Sequence, residues 1–323
     1  MNATRTTYLA ARLTNNEQRV VCIGGGTGMP LVLRTLKNHP VHLSAIVAMS
    51  DDGGSTGILR DEYGVAATGD VRRALVALSE PEGILKELFN YRFGAGGLEG
   101  HSFGNLFLTT LEKITGSFAQ AVEEAGKILK IKGEVIPVTL DNTRLFAELE
   151  NGQVIKGETN IDIPKHDGSL RIKKIWLDPE ARMNPKAGEA ILAADLVIIG
   201  PGDIYSSLIP NLLVNGMSEA IKRSKATKLY ICNLMTKRGE THDFKAEDFV
   251  SEIEKYTPLD FALFNTKKPS EEILKKYKKA KSEFVEPPAF SPKVILADLL
   301  AEDGFIRHDS GKKLADVILS LRS

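Results

Sequence analysis

The run IGGGTGMPL over residues 23–31 ends an apolar stretch in three glycines, a threonine and a fourth glycine. Backbone N–H groups at a strand-to-helix turn of this kind can cradle an anion, here along Gly25, Gly26, Thr27 and Gly28, and Pro30 suits a first helical turn. The spacing is not that of a dinucleotide fingerprint. Met29 stands where G-x-G-x-x-G needs its third glycine, and no lysine follows to complete a Walker A loop. On pattern alone the turn reads as a phosphate- or nucleotide-binding loop or as a structural bend.

Four further polar loops each carry groups able to bind or react. In SDDGGSTGILRDEYG (50–64), Asp51 and Asp52 suit a ribose hydroxyl, a metal ion such as Mg²⁺ or a general base, and are the candidate catalytic and metal residues. In GGLEGHSFGNLFL (96–108), His101, Ser102 and Asn105 precede a helix and could hold an anion or a substrate hydroxyl; the adjacent His and Ser are poorly placed for serine hydrolase chemistry. IGPGDIYSSLIPNLLVNG (199–216) supplies Gly202, Asp203, Ser206, Ser207 and Asn211, a second candidate phosphate or base pocket. NLMTKRGETHDF (233–244) puts Thr236, Lys237 and Arg238 where cations could neutralise a diphosphate. The plain alternatives are solvated turns, helix caps and surface ion pairs.

What must position these loops is an alternation of short apolar runs with segments of helical period, the pattern of βαβ units in a doubly wound, mostly parallel Rossmann-like sheet. Strands are expected at 19–24, 43–49, 134–139, 195–200, 228–233 and 261–265. Loops after parallel strands emerge on one edge of the sheet, so together they imply a nucleotide-sized cleft. Asp70 is expected to cap a helix over 70–80, and Ser117 with Gln120 to form a capping box. Residues 144–177 alternate around Asn151-Gly152, predicting an antiparallel insertion on the main sheet with a type I′ turn. EEILKKYKKAKS reads as a basic helix and DSGKKLADVILSLRS as a terminal helix capped by Asp309 or Ser310. The domain reading is an N-terminal extension over 1–18 and a single α/β domain over 19–323.

Composition narrows the classes. The 323 residues carry 42 Lys plus Arg against 42 Asp plus Glu, so no net field draws nucleic acid or an acidic membrane. No stretch approaches the roughly 18–20 apolar residues of a membrane span, and the N-terminus lacks a signal-like apolar core; a cytoplasmic protein is expected. Cys22 and Cys232 lie in apolar runs and suit core packing in a reducing compartment. A homo-oligomer stays open as a prior only.

The ordered set IGGGTGMPLVLRTLK, DDGGSTGILRDEYG, GDVRRALVALS, GHSFGNLFL, IGPGDIYSSLIPNLLV, NLMTKRGET and RHDSGKKLA resembles the gluconeogenesis factor family, the bacterial branch of the 2-phospho-L-lactate transferase-like superfamily. The resemblance covers roughly residues 19–323. It implies a UDP-sugar-binding protein, with UDP-N-acetylglucosamine as ligand and no required cofactor, that supports cell shape during gluconeogenic growth, with protein partners in cell-wall synthesis. Carried over, it puts Thr27 at the phosphates, Asn211 and Arg307 at the ligand, and Tyr277 beside it. The runner-up is the transferase branch, which moves a phospholactyl group from a guanosine diphosphate conjugate to a deazaflavin with Mg²⁺. An NAD(P)-binding protein is the third reading, disfavoured by Met29.

Overall fold

Valine and isoleucine runs set the architecture, because strands buried on both faces need no polar alternation. The computed structural model describes residues 17–80, 84–289, 291–301, 303, 305–309 and 311–321. Ten strands appear among them: β1 Gln18–Gly24, β2 Val41–Val47, β3 Glu134–Pro137, β4 Arg144–Leu149, β5 Val154–Lys156, β6 Ile172–Asp178, β7 Leu196–Ile199, β8 Thr227–Ile231, β9 Phe261–Asn265 and β10 Val294–Ala297. Seven form one parallel sheet in the order β10-β9-β8-β7-β1-β2-β3. Its centre is dry: Cys22, Ile23, Val197, Ile198 and Leu229 have no exposed surface.

The topology opens a crevice between β1 and β7. From β1 the chain runs to β2 and β3 on one side, then returns with β7 on the other, so the loops after β1 and β7 lead away in opposite directions. The helix Gly28–Leu36 follows the first of these loops and buries Met29, Val32, Leu33 and Leu36 completely, leaving Arg34 as its exposed polar side chain.

Several local expectations change. Asp70 does not cap its helix: that helix runs Gly69–Leu78 with Thr68 at the cap, and Asp70 lies buried in the first turn. The insertion does not extend the main sheet; β4, β5 and β6 form their own antiparallel sheet in the order β5-β4-β6. Its turn is not type I′, which needs positive φ at both central residues. Only Gly152 has positive φ, at 84°, Gly152 N–H donates to the Leu149 carbonyl, and Asn151 Oδ1 accepts from Gln153 N–H. This is a three-residue loop closed by a left-handed glycine. β10, a half-exposed strand at the sheet's margin, is not among the expected strands.

Other expectations hold in part. Ser117 Oγ accepts from Gln120 N–H at the start of the helix Phe118–Ile128, while Ser117 N–H donates to Thr115 Oγ1 rather than to Gln120, so half of the capping box is present. Gly311 is the cap residue of the helix Lys312–Ser320, and Asp309 Oδ2 accepts from Lys313 N–H in its first turn; Ser310 lies outside the described residues, as do residues 1–16 of the extension. Both cysteines are buried and free, and burial pushes the Cys22 thiol up to about 12. Among the described residues no helix is long and apolar enough to cross a membrane.

Candidate functional site

A cleft of about 440 Å³ sits at the β1/β7 divergence, within the range of roughly 300–1,000 Å³ usual for small-molecule sites. The loop after β1 and its helix contribute Thr27, Gly28, Leu31 and Arg34; the loop after β7 contributes Pro201, Gly202, Asp203 and Ser207. Asn233 to Lys237 enter after β8, and Tyr277 with Ile306 to His308 close the far side. Thr27, Leu31 and Arg34 share one helical face because they are spaced four and three apart. Thr27 is exposed and its side chain caps nothing, so its hydroxyl faces the cleft uncommitted.

Glycine at 28 follows from close approach: a β-carbon there would strike the Pro201 carbonyl oxygen. The loops after β1 and β7 therefore touch backbone to backbone at the cleft floor. Asn233 Oδ1 accepts from Gly202 N–H at 3.1 Å, joining the β8 loop to the same floor.

The cations of the cleft differ in how far they are already neutralised. Lys237 is saturated: its ammonium pairs with Asp162, with Asp203 at 2.8 Å and with Glu240 at 3.2 Å. Burial alone would lower its pKa, yet these carboxylates hold it above the ordinary lysine value. Arg307 pairs with Asp303 at the surface, and its guanidinium lies 5.9 Å from the Phe305 ring centre. No carboxylate is paired with Arg34 among the described residues, and burial, then the neighbouring Arg307, press its pKa down. A guanidinium without a carboxylate partner at the cleft leaves a place for an anion.

Asp162, Asp203 and Glu240 bring their oxygens within 4.8 Å of one another, a spacing a divalent cation could use. The Lys237 ammonium already occupies that focus, so a metal ion would have to displace it. Glu240 is also committed elsewhere, accepting from Tyr205 N–H, Ser206 N–H and the Ser206 hydroxyl.

A separate acidic group lies on the other side of the glycine loop. Asp70 Oδ1 accepts from Gly26 N–H at 3.0 Å and pairs with Arg73, and a β-carbon at Gly25 would collide with the Asp70 carboxylate. Asp51 accepts from Gly53 N–H and from the Thr56 hydroxyl; burial, then Asp70, raises its pKa. Glu158 is pushed up to about 9 by burial and by Asp51, Asp162, Asp70 and Asp52. One N–H of the glycine loop thus already serves a carboxylate of the chain. As a metal site the group is satisfied by Arg73 and by backbone donors.

Of the residues singled out in the sequence, the cleft brings together Thr27, Gly28, Gly202, Asp203, Ser207, Thr236, Lys237, Tyr277 and Arg307. Gly25, Gly26 and Asp51 face the acidic group instead. Asp52 turns away from Asp51, accepting from Thr159 N–H at 3.0 Å and lying 3.7 Å from Arg144. His101 Nδ1 lies 3.1 Å from Ser55 Oγ, Ser102 caps the helix Phe103–Thr115, and Asn105 donates to Thr56 Oγ1. Ser206 is spent on Glu240, and Asn211, fully buried, donates to the carbonyls of Gly24 and Ser207 beneath the floor. Arg34, Arg73, Glu158, Asp162 and Glu240 are not singled out by the sequence, and Asp70 is singled out there only as a helix cap. Arg34 had a signal, its spacing of seven from Thr27; Glu158 and Asp162 had none, since they arrive from the insertion.

Comparison with known proteins places this geometry. The family model for 2-phospho-L-lactate transferase CofD matches residues 20–299. The gluconeogenesis factor of Halalkalibacterium halodurans is 42% identical over 307 residues, covering 92% of this chain and 94% of its own. That of Bacillus subtilis is 39% identical over 316 residues, covering 94% and 98%. The crystal structure of a UPF0052 family member from Bacillus halodurans is similar at a TM-score of 0.89 and 40% identity, covering 94% of this chain and 99% of that one. The chain belongs to the 2-phospho-L-lactate transferase CofD family, among its gluconeogenesis factors.

Proposed function

We propose that the protein is a nucleotide-sugar-binding regulatory protein, with UDP-N-acetylglucosamine as ligand, acting in cell morphogenesis under gluconeogenic growth. The observation that carries this reading is the Arg34 guanidinium, without a carboxylate partner among the described residues, on the same helical face as the free Thr27 hydroxyl, in a cleft that Arg307 also lines. That arrangement suits a diphosphate, which an uncommitted guanidinium and hydroxyl at a helix N-terminus can bind. Lys237 supports the site without being a free partner, being already held by three carboxylates.

Isothermal titration with UDP-N-acetylglucosamine tests it. Binding should be measurable, and Thr27→Ala and Arg34→Ala should each weaken it by about tenfold, the loss of one hydrogen bond to a charged group. No heat at millimolar ligand with the wild-type protein would refute the reading.

The transferase reading keeps support from one observation, the acidic group beside the glycine loop, where Asp70 is buried and the half-buried Asp51 has its pKa raised by burial, then by Asp70. Arg73 and backbone donors already satisfy that group, so as it stands it does not fit Mg²⁺. Incubation of donor conjugates with candidate acceptors and Mg²⁺ tests it; substrates unchanged across the panel, with binding intact, would leave the regulatory reading alone. The NAD(P) reading predicts that NAD competes with the UDP-sugar, and no competition removes it.

A further inference from the structure

Behind the cleft, across the loop that follows β8, lies a second cavity of about 350 Å³. Three elements meet there: residues 168–169 of the insertion, the β8 loop, and the C-terminal end of the helix Glu271–Lys279 with the residues after it. Gly239 N–H donates to the Gly168 carbonyl, and Thr236 exchanges backbone and side-chain hydrogen bonds with Ser282 and Glu283, so the walls are tied to one another. Thr236 lines both cavities.

Four basic side chains face this space with their donors unspent. Lys278 and Lys281 line it, and neither ammonium has a hydrogen bond or an ion pair within 4 Å among the described residues. Among the described residues Arg238 pairs only with the exposed Asp167, at 3.8 Å, and its side chain makes no hydrogen bond. His242 approaches only Asp243, at 3.9 Å, and its buried Nδ1 has no partner. Two lining residues, Asp243 and Lys281, hold left-handed backbone conformations at φ of 62° and 54°, which non-glycine residues adopt at a cost. Two carboxylates also line the cavity, Asp243, which is 72% exposed, and Glu283, which is exposed as well. They balance part of the positive charge, and they can accept from hydroxyl groups.

We propose that this junction is a second ligand site, distinct from the cleft, that takes a small phosphomonoester. Its phosphate meets Arg238, Lys278 and Lys281, and a hydroxyl-bearing body lies against Asp243 and Glu283. A guanidinium with two ammoniums offers a phosphate dianion several charge-assisted hydrogen bonds, which none of the three makes among the described residues. The site stands independently of the nucleotide-sugar reading, since it shares only Thr236 with the cleft.

Histidine resonances separate the two cavities, because His242 lines the second and His308 the first. Histidine-labelled protein is titrated with glycerol phosphate and followed by NMR. The His242 signal should shift and saturate in the wild type. In the double variant Lys278→Gln/Lys281→Gln the His242 isotherm should weaken by about tenfold or more, as expected when charged hydrogen-bond donors are removed. Both lysines are exposed, so the fold is kept, and unchanged His308 chemical shifts in the ligand-free variant verify this. A His242 signal that ignores glycerol phosphate, or that moves identically in the variant, overturns the proposal.

Discussion

Glu158 shows how a single side chain records its surroundings. Its carboxyl, ordinarily near 4.5, is held up to about 9 by burial and by the neighbouring carboxylates. Between those values the folded chain binds a proton that the unfolded chain has released, so this residue makes stability fall as pH rises through the window. Glu158→Gln should flatten that fall, with a higher urea midpoint at pH 8 and little change near pH 4; equal slopes for variant and parent would show that Glu158 is solvated. At this scale the sequence was informative where a residue sits in its own loop, as Thr27 and Asp203 do. It was silent where partners come from afar. Nothing local to Lys237 shows that Asp162, 75 residues away, will share its ammonium.

Strands and loops were easier to read than contacts. Six of the seven strands of the main sheet follow from apolar runs, because strands buried on both faces carry that signature. β10 escaped because it is a half-exposed edge strand without the buried signature of the others, and the hairpin at Gly152 differed because one added loop residue changes the turn that fits. The loops after β1 and β7 make the sharpest prediction at this scale. Gly28→Ala would drive a β-carbon into the Pro201 carbonyl, backbone that cannot swing aside. Overpacking of this kind typically costs about 1–3 kcal/mol. The urea midpoint should drop accordingly, and ligand affinity should drop with it because Thr27 moves. Gly94→Ala, which meets nothing within 4 Å, serves as the control.

Across the whole molecule, the cleft draws on distant parts of the chain: Thr27 and Arg34 from its start, Tyr277 and Arg307 from its end. A ligand held by both should stabilise the sheet as one unit. At a hundred times its dissociation constant it adds about 2.7 kcal/mol. A single thermal transition that moves upward as a whole is expected; a ligand-dependent split into two transitions would show that the ligand grips one half only. The doubly wound class was legible from the alternation of strands and helices, while the separate three-stranded sheet was not, since alternation reveals a strand but not the sheet it joins.

The short helix Glu158–Asp162 carries a consequence for how this architecture can change. It makes the insertion a creditor of the sheet, lending a carboxylate to Lys237 and another to the glycine loop's flank without sharing a single strand pairing with either. Such a module cannot be trimmed or exchanged as an ornament. A chimera that grafts a foreign insertion between β3 and β7 without an acid opposite Lys237 leaves that ammonium to Asp203 and Glu240 alone, and should unfold at a lower urea concentration than one whose graft supplies the acid.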